Sequence, residues 1–345
     1  MASPSIYDAS SLEVVCSGLG YSEGPVAMAD GSILLVDIKK ECLTRVRPDG
    51  STEKVIDIPG GPNGAAVGPD GRLYICNSGG FEWVEFPLPG GQVISVGEAQ
   101  AHTYKGGAIQ AVDLAAGKLE TLYTECAIGT DMAGLGPRAP KEHAAPSVLR
   151  GPDDLVFDSS GGFWFADFGK ARRRDKDITG IYYARPDGTQ IREKIFPLDG
   201  PNGVGLSPAG DRLYVSLTYR RQVLYWELDE PGSIKPNPAT LDGAHVLNAA
   251  MPGDLDSLKV DEAGNVHVLT ILPSKTAFCN GGVTVLSPAG EILEFFEIKV
   301  PGKFTPLPSN VCWGGPDRRT AYITCGGTDT LVKVRTSVAG LKPAF

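Results

Sequence analysis

An all-β fold, a six-bladed β-propeller of four-stranded antiparallel blades around a central channel, is predicted by three observations. One pattern of tight turn and apolar strand recurs six times, a polar residue precedes each of these turns at one fixed offset, and the 345 residues include 44 Gly and 27 Pro. A single repeating domain accounts for such a length, and the turn-forming residues suit short strands rather than helices.

The repeat reads MADGSILLVD, GPDGRLYICN, DSSGGFWFAD, SPAGDRLYVS, DEAGNVHVLT and GPDRRTAYIT. Five copies place Gly at the same point of the turn (Gly31, Gly71, Gly161, Gly210 and Gly264), as a hairpin needing positive φ requires, and the sixth has Arg318. A short apolar run precedes each turn and an apolar run follows it, which predicts two buried antiparallel strands. Later segments such as GAIQAVDL with KLETLY, or GVTVLSPAG with EILEFFEI, supply the outer strands. The units begin near residues 22, 62, 152, 201, 255 and 309 of one domain spanning 1–345. Inserts near 81–104 and 127–147 stretch the second unit, and long loops on a rigid scaffold commonly shape a binding site. The sixth unit lacks a fourth strand, which SLEVVCSG near the N-terminus is expected to supply.

Composition narrows the function. A net charge of −9 and a pI near 5.1 exclude a nucleic-acid footprint, and the one basic run, Arg172 to Arg174, is followed by Asp175 and Asp177. No apolar stretch approaches a membrane helix, and the opening MASPSIYDASS lacks the features of a signal peptide, so a cytoplasmic location is expected. Seven Cys with no CxxC pair argue against a zinc cluster or a disulfide framework. Nucleophile-elbow, phosphate-loop, zinc-hydrolase and EF-hand motifs are missing, and nothing bears on oligomeric state.

Eight residues before each turn position stand Glu23, Asn63, Asp153, Asn202, Asp256 and Asn310. Because strand side chains alternate with period two, a constant offset puts all six at one level of the innermost strands, pointing into the channel. The same alternation selects Asp153 over Asp154 and Asp256 over Asp254. Three carboxylates in a confined channel would suffer raised pKa values unless a cation offset their repulsion. Hard oxygen donors without His or Cys favour one divalent cation, Ca²⁺ best, with Mg²⁺, Mn²⁺ and Zn²⁺ left open. Fourteen residues beyond each ring position lies a second polar rim, Asp37, Asn77, Asp167, Ser216, Thr270 and Thr324, expected to orient the ring or touch a substrate. Asn77 is favoured because it enters the Gly-rich loop of the second unit. His267, inside an apolar strand, is expected in the core.

The segments SEGPV, GPNGAAVGPDGRLYICNSGG, GPDDLVFDSSGGFWFADFG, GPNGVGLSPAGDRLYVS and PSNVCWGGPDRRTAYIT resemble the SMP-30/gluconolactonase/LRE-like family, over about residues 10 to 335. The resemblance implies a metal-dependent hydrolase opening a lactone, with Glu23, Asp153, Asn202 and Asp256 as metal ligands. It implies that Asn63 lies near the substrate and that Asn310 is an accessory; with these and the rim, Asp256 is expected as general base or nucleophile, and Asn63, Asn77, Asp167 and Asn310 as substrate-binding positions for a small-molecule lactone or ester. Asp153 departs from the family, which usually has Asn there; the added charge should tighten cation binding and weaken the cation as an electrophile. GDLDS around Asp256 replaces the family's PDG. A phosphotriesterase-type reaction and a non-catalytic propeller with a structural calcium remain as alternatives.

Overall fold

The computed structural model describes residues 5–127, 146–240, 242–274, 279–303 and 306–345. Six antiparallel sheets follow one another around a ring, and no α-helix occurs among the described residues. Blade 1 runs Ser22–Ala27, Ile33–Asp37, Cys42–Val46 and Thr52–Asp57 from the channel outward. The innermost strands of blades 2 to 6 are Pro62–Val67, Pro152–Phe157, Pro201–Leu206, Asp254–Val260 and Pro308–Gly314. Tyr7–Ser17 pairs with Thr330–Thr336 as the outer strand of blade 6, the closure expected from the sequence.

The second strands read as unbroken apolar runs because a blade buries both faces. Side chains alternate between two interfaces: Leu73 and Ile75 join the cluster with blade 1, while Tyr74 and Cys76 join the cluster with blade 3. Phe163 and Phe165 likewise face blade 2, and Trp164 and Ala166 face blade 4. Six apolar clusters, one between each pair of neighbouring blades, complete the ring, the last joining Cys16 and Leu331 to Ile33 and Leu35. His267 lies in the core as expected, its Nδ1 2.9 Å from the Tyr7 hydroxyl and its Nε2 3.1 Å from Asp261 Oδ2. No disulfide joins any of the seven cysteines.

The first insert forms a hairpin, Phe81–Pro87 with Val93–Gln100, between the second and third strands of blade 2. The second begins and ends in a short pair, Glu125–Ala127 with Pro146–Val148, between blades 2 and 3; residues 128–145 of it lie outside the described residues.

The hairpin turns carry the predicted backbone. Gly31, Gly71, Gly161, Gly210 and Gly264 have φ of 81, 77, 82, 71 and 83°, and Arg318 adopts φ 48° in the same role. A Cβ at Gly71 would meet nothing within 4 Å, so conformation alone would resist it. Gly71→Ala is expected to cost about 1 kcal/mol in denaturant unfolding, with no change in the folded spectrum; an unchanged midpoint would contradict the left-handed turn.

Candidate metal centre

The six ring positions come together, and they do so through bulges. In every innermost strand the pairing register slips at or beside the ring residue, for example between Pro62 and Ala65, Pro152 and Leu155, and Pro201 and Val204. A bulge turns the strand locally and re-aims its side chains. The residue after the ring position is Gly in blades 1, 2 and 4. A Cβ on Gly24 would stand 2.5 Å from Asn63 O, one on Gly64 2.5 Å from Asp153 O, and one on Gly203 2.1 Å from Leu258 N, so glycine is what lets neighbouring backbones close on the channel.

Around the ring the residues alternate carboxylate and amide: Glu23, Asn63, Asp153, Asn202, Asp256, Asn310. Each amide donates to the carboxylate of the next blade. Asn63 Nδ2 lies 3.0 Å from Asp153 Oδ2, Asn310 Nδ2 lies 2.9 Å from Glu23 Oε2, and the Asn202 side chain hydrogen-bonds Asp256. With the NH₂ groups spent sideways, Asn63 Oδ1, Asn202 Oδ1 and Asp153 Oδ1 remain buried without a hydrogen-bond partner. Three acceptors of adjacent blades are thus left with nothing to accept, an arrangement that costs about 1–3 kcal/mol per group unless a ligand meets it. Among the described residues no three His, Cys, Asp or Glu side chains form a metal cluster by themselves, so amide oxygens belong to any such site. The alternation was readable in the sequence as every second ring position.

Burial raises Glu23 to about 7, against hydrogen bonds from Gly24 N and Asn310. It raises Asp153 well above the carboxylate range, with Asp256 and Glu23 adding repulsion, and Asp256 likewise, with Glu23 adding.

Strict alternation placed Asp154 off the ring face, yet the bulge brings it into the channel as well. Its carboxylate takes Lys259 Nζ at 2.8 and 2.6 Å, joining the innermost strands of blades 3 and 5, which have blade 4 between them. Lys259 was not anticipated, although a lone Lys in the run LDSLKVD was its signal.

The geometry assigns three expected substrate positions to the scaffold. Asn77 Oδ1 accepts from Gly61 N and Gly79 N, and its Nδ2 donates to Pro59 O and Gln110 Oε1, all at 2.9 Å. Asp167 accepts from Arg150 N, Gly151 N and Gly169 N at 2.7, 2.6 and 3.0 Å. Asp37 holds Gly20 N at 2.6 Å, Ser216 holds Gly203 N at 2.8 Å and Thr324 holds Asn310 N at 3.0 Å. Five of the six rim residues therefore satisfy backbone N–H groups at or near the start of the innermost strands, whereas Thr270 bonds Val268 O and Thr284 Oγ1 within blade 5. Asn310 donates to Ser257 Oγ (3.0 Å) as well as to Glu23, and its oxygen accepts from Val311 N (2.8 Å).

Aromatic groups stand over the ring. Burial raises the Tyr21 hydroxyl, and Asp256, Glu23 and Asp153 add to it; Tyr21 packs on Trp83 of the insert at 5.6 Å, and Trp83 on Phe81 at 6.1 Å.

Because Glu23 titrates near 7 when folded and near its ordinary 4.5 when unfolded, the cation-free fold holds a proton that the unfolded chain has released. Stability contributed this way is complete below the unfolded value and is lost as pH rises through the folded one. Chelator-treated protein is expected to melt at falling temperature between about pH 5 and 8, with added Ca²⁺ removing the slope. A chelated protein whose melting temperature rises over that range would contradict the ring electrostatics.

The fold has counterparts among known proteins. The chain is 25% identical to a gluconolactonase of Zymomonas mobilis over 95% of this chain and 82% of that one. Its fold matches that of a gluconolactonase from Xanthomonas campestris, with TM-score 0.65, 20% identity and coverage of 96% and 91%. It also matches a calcium-binding protein, regucalcin, from Agrobacterium tumefaciens, with TM-score 0.64, 17% identity and coverage of 96% and 95%. No helix among the described residues is long and apolar enough to cross a membrane. Residues 21–327 match the SMP-30/Gluconolactonase/LRE-like region, and the chain belongs to that family.

Proposed function

We propose that the chain is a lactone hydrolase dependent on one divalent cation, Ca²⁺ by the chemistry of its donors. The observation that carries this reading is the set of unpartnered oxygens Asn63 Oδ1, Asp153 Oδ1 and Asn202 Oδ1, buried beside Glu23 and Asp256. Carboxylate and amide oxygens without nitrogen or sulfur are the donors a hard cation takes. Glu23, Asp153, Asn202 and Asp256 would hold it, and Asn63 Oδ1 would join them or meet the substrate. The relatives named as gluconolactonases support the lactone as substrate.

When bound, the cation supplies a positive charge that polarises a carbonyl and offsets the oxyanion of the tetrahedral stage. The residues of the chain do the rest. Asp256 is held by Ser257 N at 3.1 Å and by Asn202, so its carboxylate is fixed in place as general base. It takes a proton from water while the oxygen forms a bond to the lactone carbonyl carbon. The ring C–O bond then breaks, the departing oxygen gains a proton, and a hydroxy acid leaves. Asn310 keeps Glu23 turned inward, and the aromatic groups above restrict water.

A pH-indicator screen of sugar, aliphatic and aromatic lactones, with and without chelator, tests the reading. Turnover that stops on chelation and returns with Ca²⁺ is expected, and Asp256→Asn should lower kcat by about 10²- to 10⁴-fold with the fold intact. Chelation that lowers stability while no lactone is ever hydrolysed would favour a structural ion instead.

A further inference from the structure

Lys170 is a buried ammonium with no carboxylate of the described residues in hydrogen-bonding contact. It lies three residues beyond Asp167, in the loop that follows the second strand of blade 3, and is 2% exposed. Its Nζ donates to Gly80 O at 2.9 Å and stands 3.6 Å from the centre of the Phe81 ring, with Tyr104 at 5.8 Å. These partners all belong to the blade 2 insert, and none is a carboxylate. Asp153 attracts it more than Asp167 or Asp177 does, yet the two form no ion pair, and Asp153 Oδ1 stays unpartnered. An ammonium has three hydrogens, and one hydrogen bond with one aromatic face leaves a donor for a further acceptor.

We propose that Lys170 is the proton donor to the leaving oxygen of the lactone. The inference rests on the hydrolase reading above. Asp256, on blade 5, takes a proton from water as the new C–O bond forms. Lys170, on blade 3, gives a proton to the ring oxygen as the old C–O bond breaks. The hydroxy acid then departs, and exchange with solvent reprotonates Lys170 and deprotonates Asp256. Two groups from different blades can flank one carbonyl carbon without competing for it.

The surroundings of Lys170 suit this role. Burial pulls the ammonium down to about 7, against Asp153, Asp167 and Asp177. Asp177 is engaged by Arg172 at 2.8 Å, and Asp167 by three backbone N–H groups. From the insert the facing groups are Gly80, Phe81 and Tyr104, whose hydroxyl, pushed up to about 12, carries no charge near neutrality. A donor that releases its proton near the working pH is the most effective general acid.

The test varies the leaving group. An aliphatic lactone expels a basic alkoxide that needs a proton, whereas an aryl lactone expels a phenolate that does not. In the Ca²⁺-loaded protein, Lys170→Met is expected to lower kcat on δ-valerolactone by about 100-fold or more and on dihydrocoumarin by less than about threefold. Lys170→Arg keeps the charge and the contact with Phe81 but cannot release a proton. It should show the same split and lose the alkaline fall of the aliphatic pH profile, which guards against a Met variant that fails to fold. Equal losses on both lactones, with Ca²⁺ binding retained, would overturn the proton donor and leave the hydrolase standing. A wild-type protein that opens neither lactone would overturn both.

Discussion

Three carboxylates share the mouth of a closed channel, and much of the site answers to that constraint. Carboxylates about 4 Å apart repel by roughly 4 kcal/mol per pair at the effective dielectric of a protein interior, and burial adds a desolvation cost to each. Asparagines between them answer locally: Asn63, Asn202 and Asn310 each lend an amide hydrogen to one carboxylate. That same orientation leaves the amide oxygens of Asn63 and Asn202 without a donor. The ring is thus arranged by its own hydrogen bonds into a set of acceptors, which the proposed cation would relieve.

The fold delivers this arrangement by geometry rather than by strength. Six interfaces of apolar side chains hold the blades, and the channel is narrow because Gly24, Gly64 and Gly203 let backbones meet. Behind the ring, Asp37, Asn77, Asp167, Ser216 and Thr324 fasten the incoming loops. Beside it, Asp154 and Lys259 close a partly buried ion pair between blades 3 and 5; Asp154 works against ionisation of Glu23 and Lys259 partly offsets it. Lys170 is a second buried cationic group, held by Gly80 O and the Phe81 ring rather than by an acid.

Much of this was legible in the chain. The repeat predicted six blades, the turn glycines predicted their φ values, and the SLEVVCSG segment predicted the closing strand, because each depends on local backbone rules that act the same way in every unit. The ring positions followed from a constant offset. What the offset could not convey was the bulge: period two placed Asp154 away from the channel, and one extra residue in the strand reversed that. Nor could it separate a rim side chain facing a ligand from one facing a loop. Asn77 and Asp167 look alike in either role, and the difference lies in where Gly61 N and Gly151 N end up. Lys170 had no signal, since its character comes from the insert hairpin folded over it.

The account stands on the ring as a cation site, and calorimetric titration of chelator-stripped protein with Ca²⁺ tests that most directly. One ion per chain is expected, with protons released in proportion as pH falls towards about 7, and with Asp153→Ala and Asn202→Ala each weakening binding at least tenfold. Absence of binding, or binding indifferent to both substitutions, would contradict it.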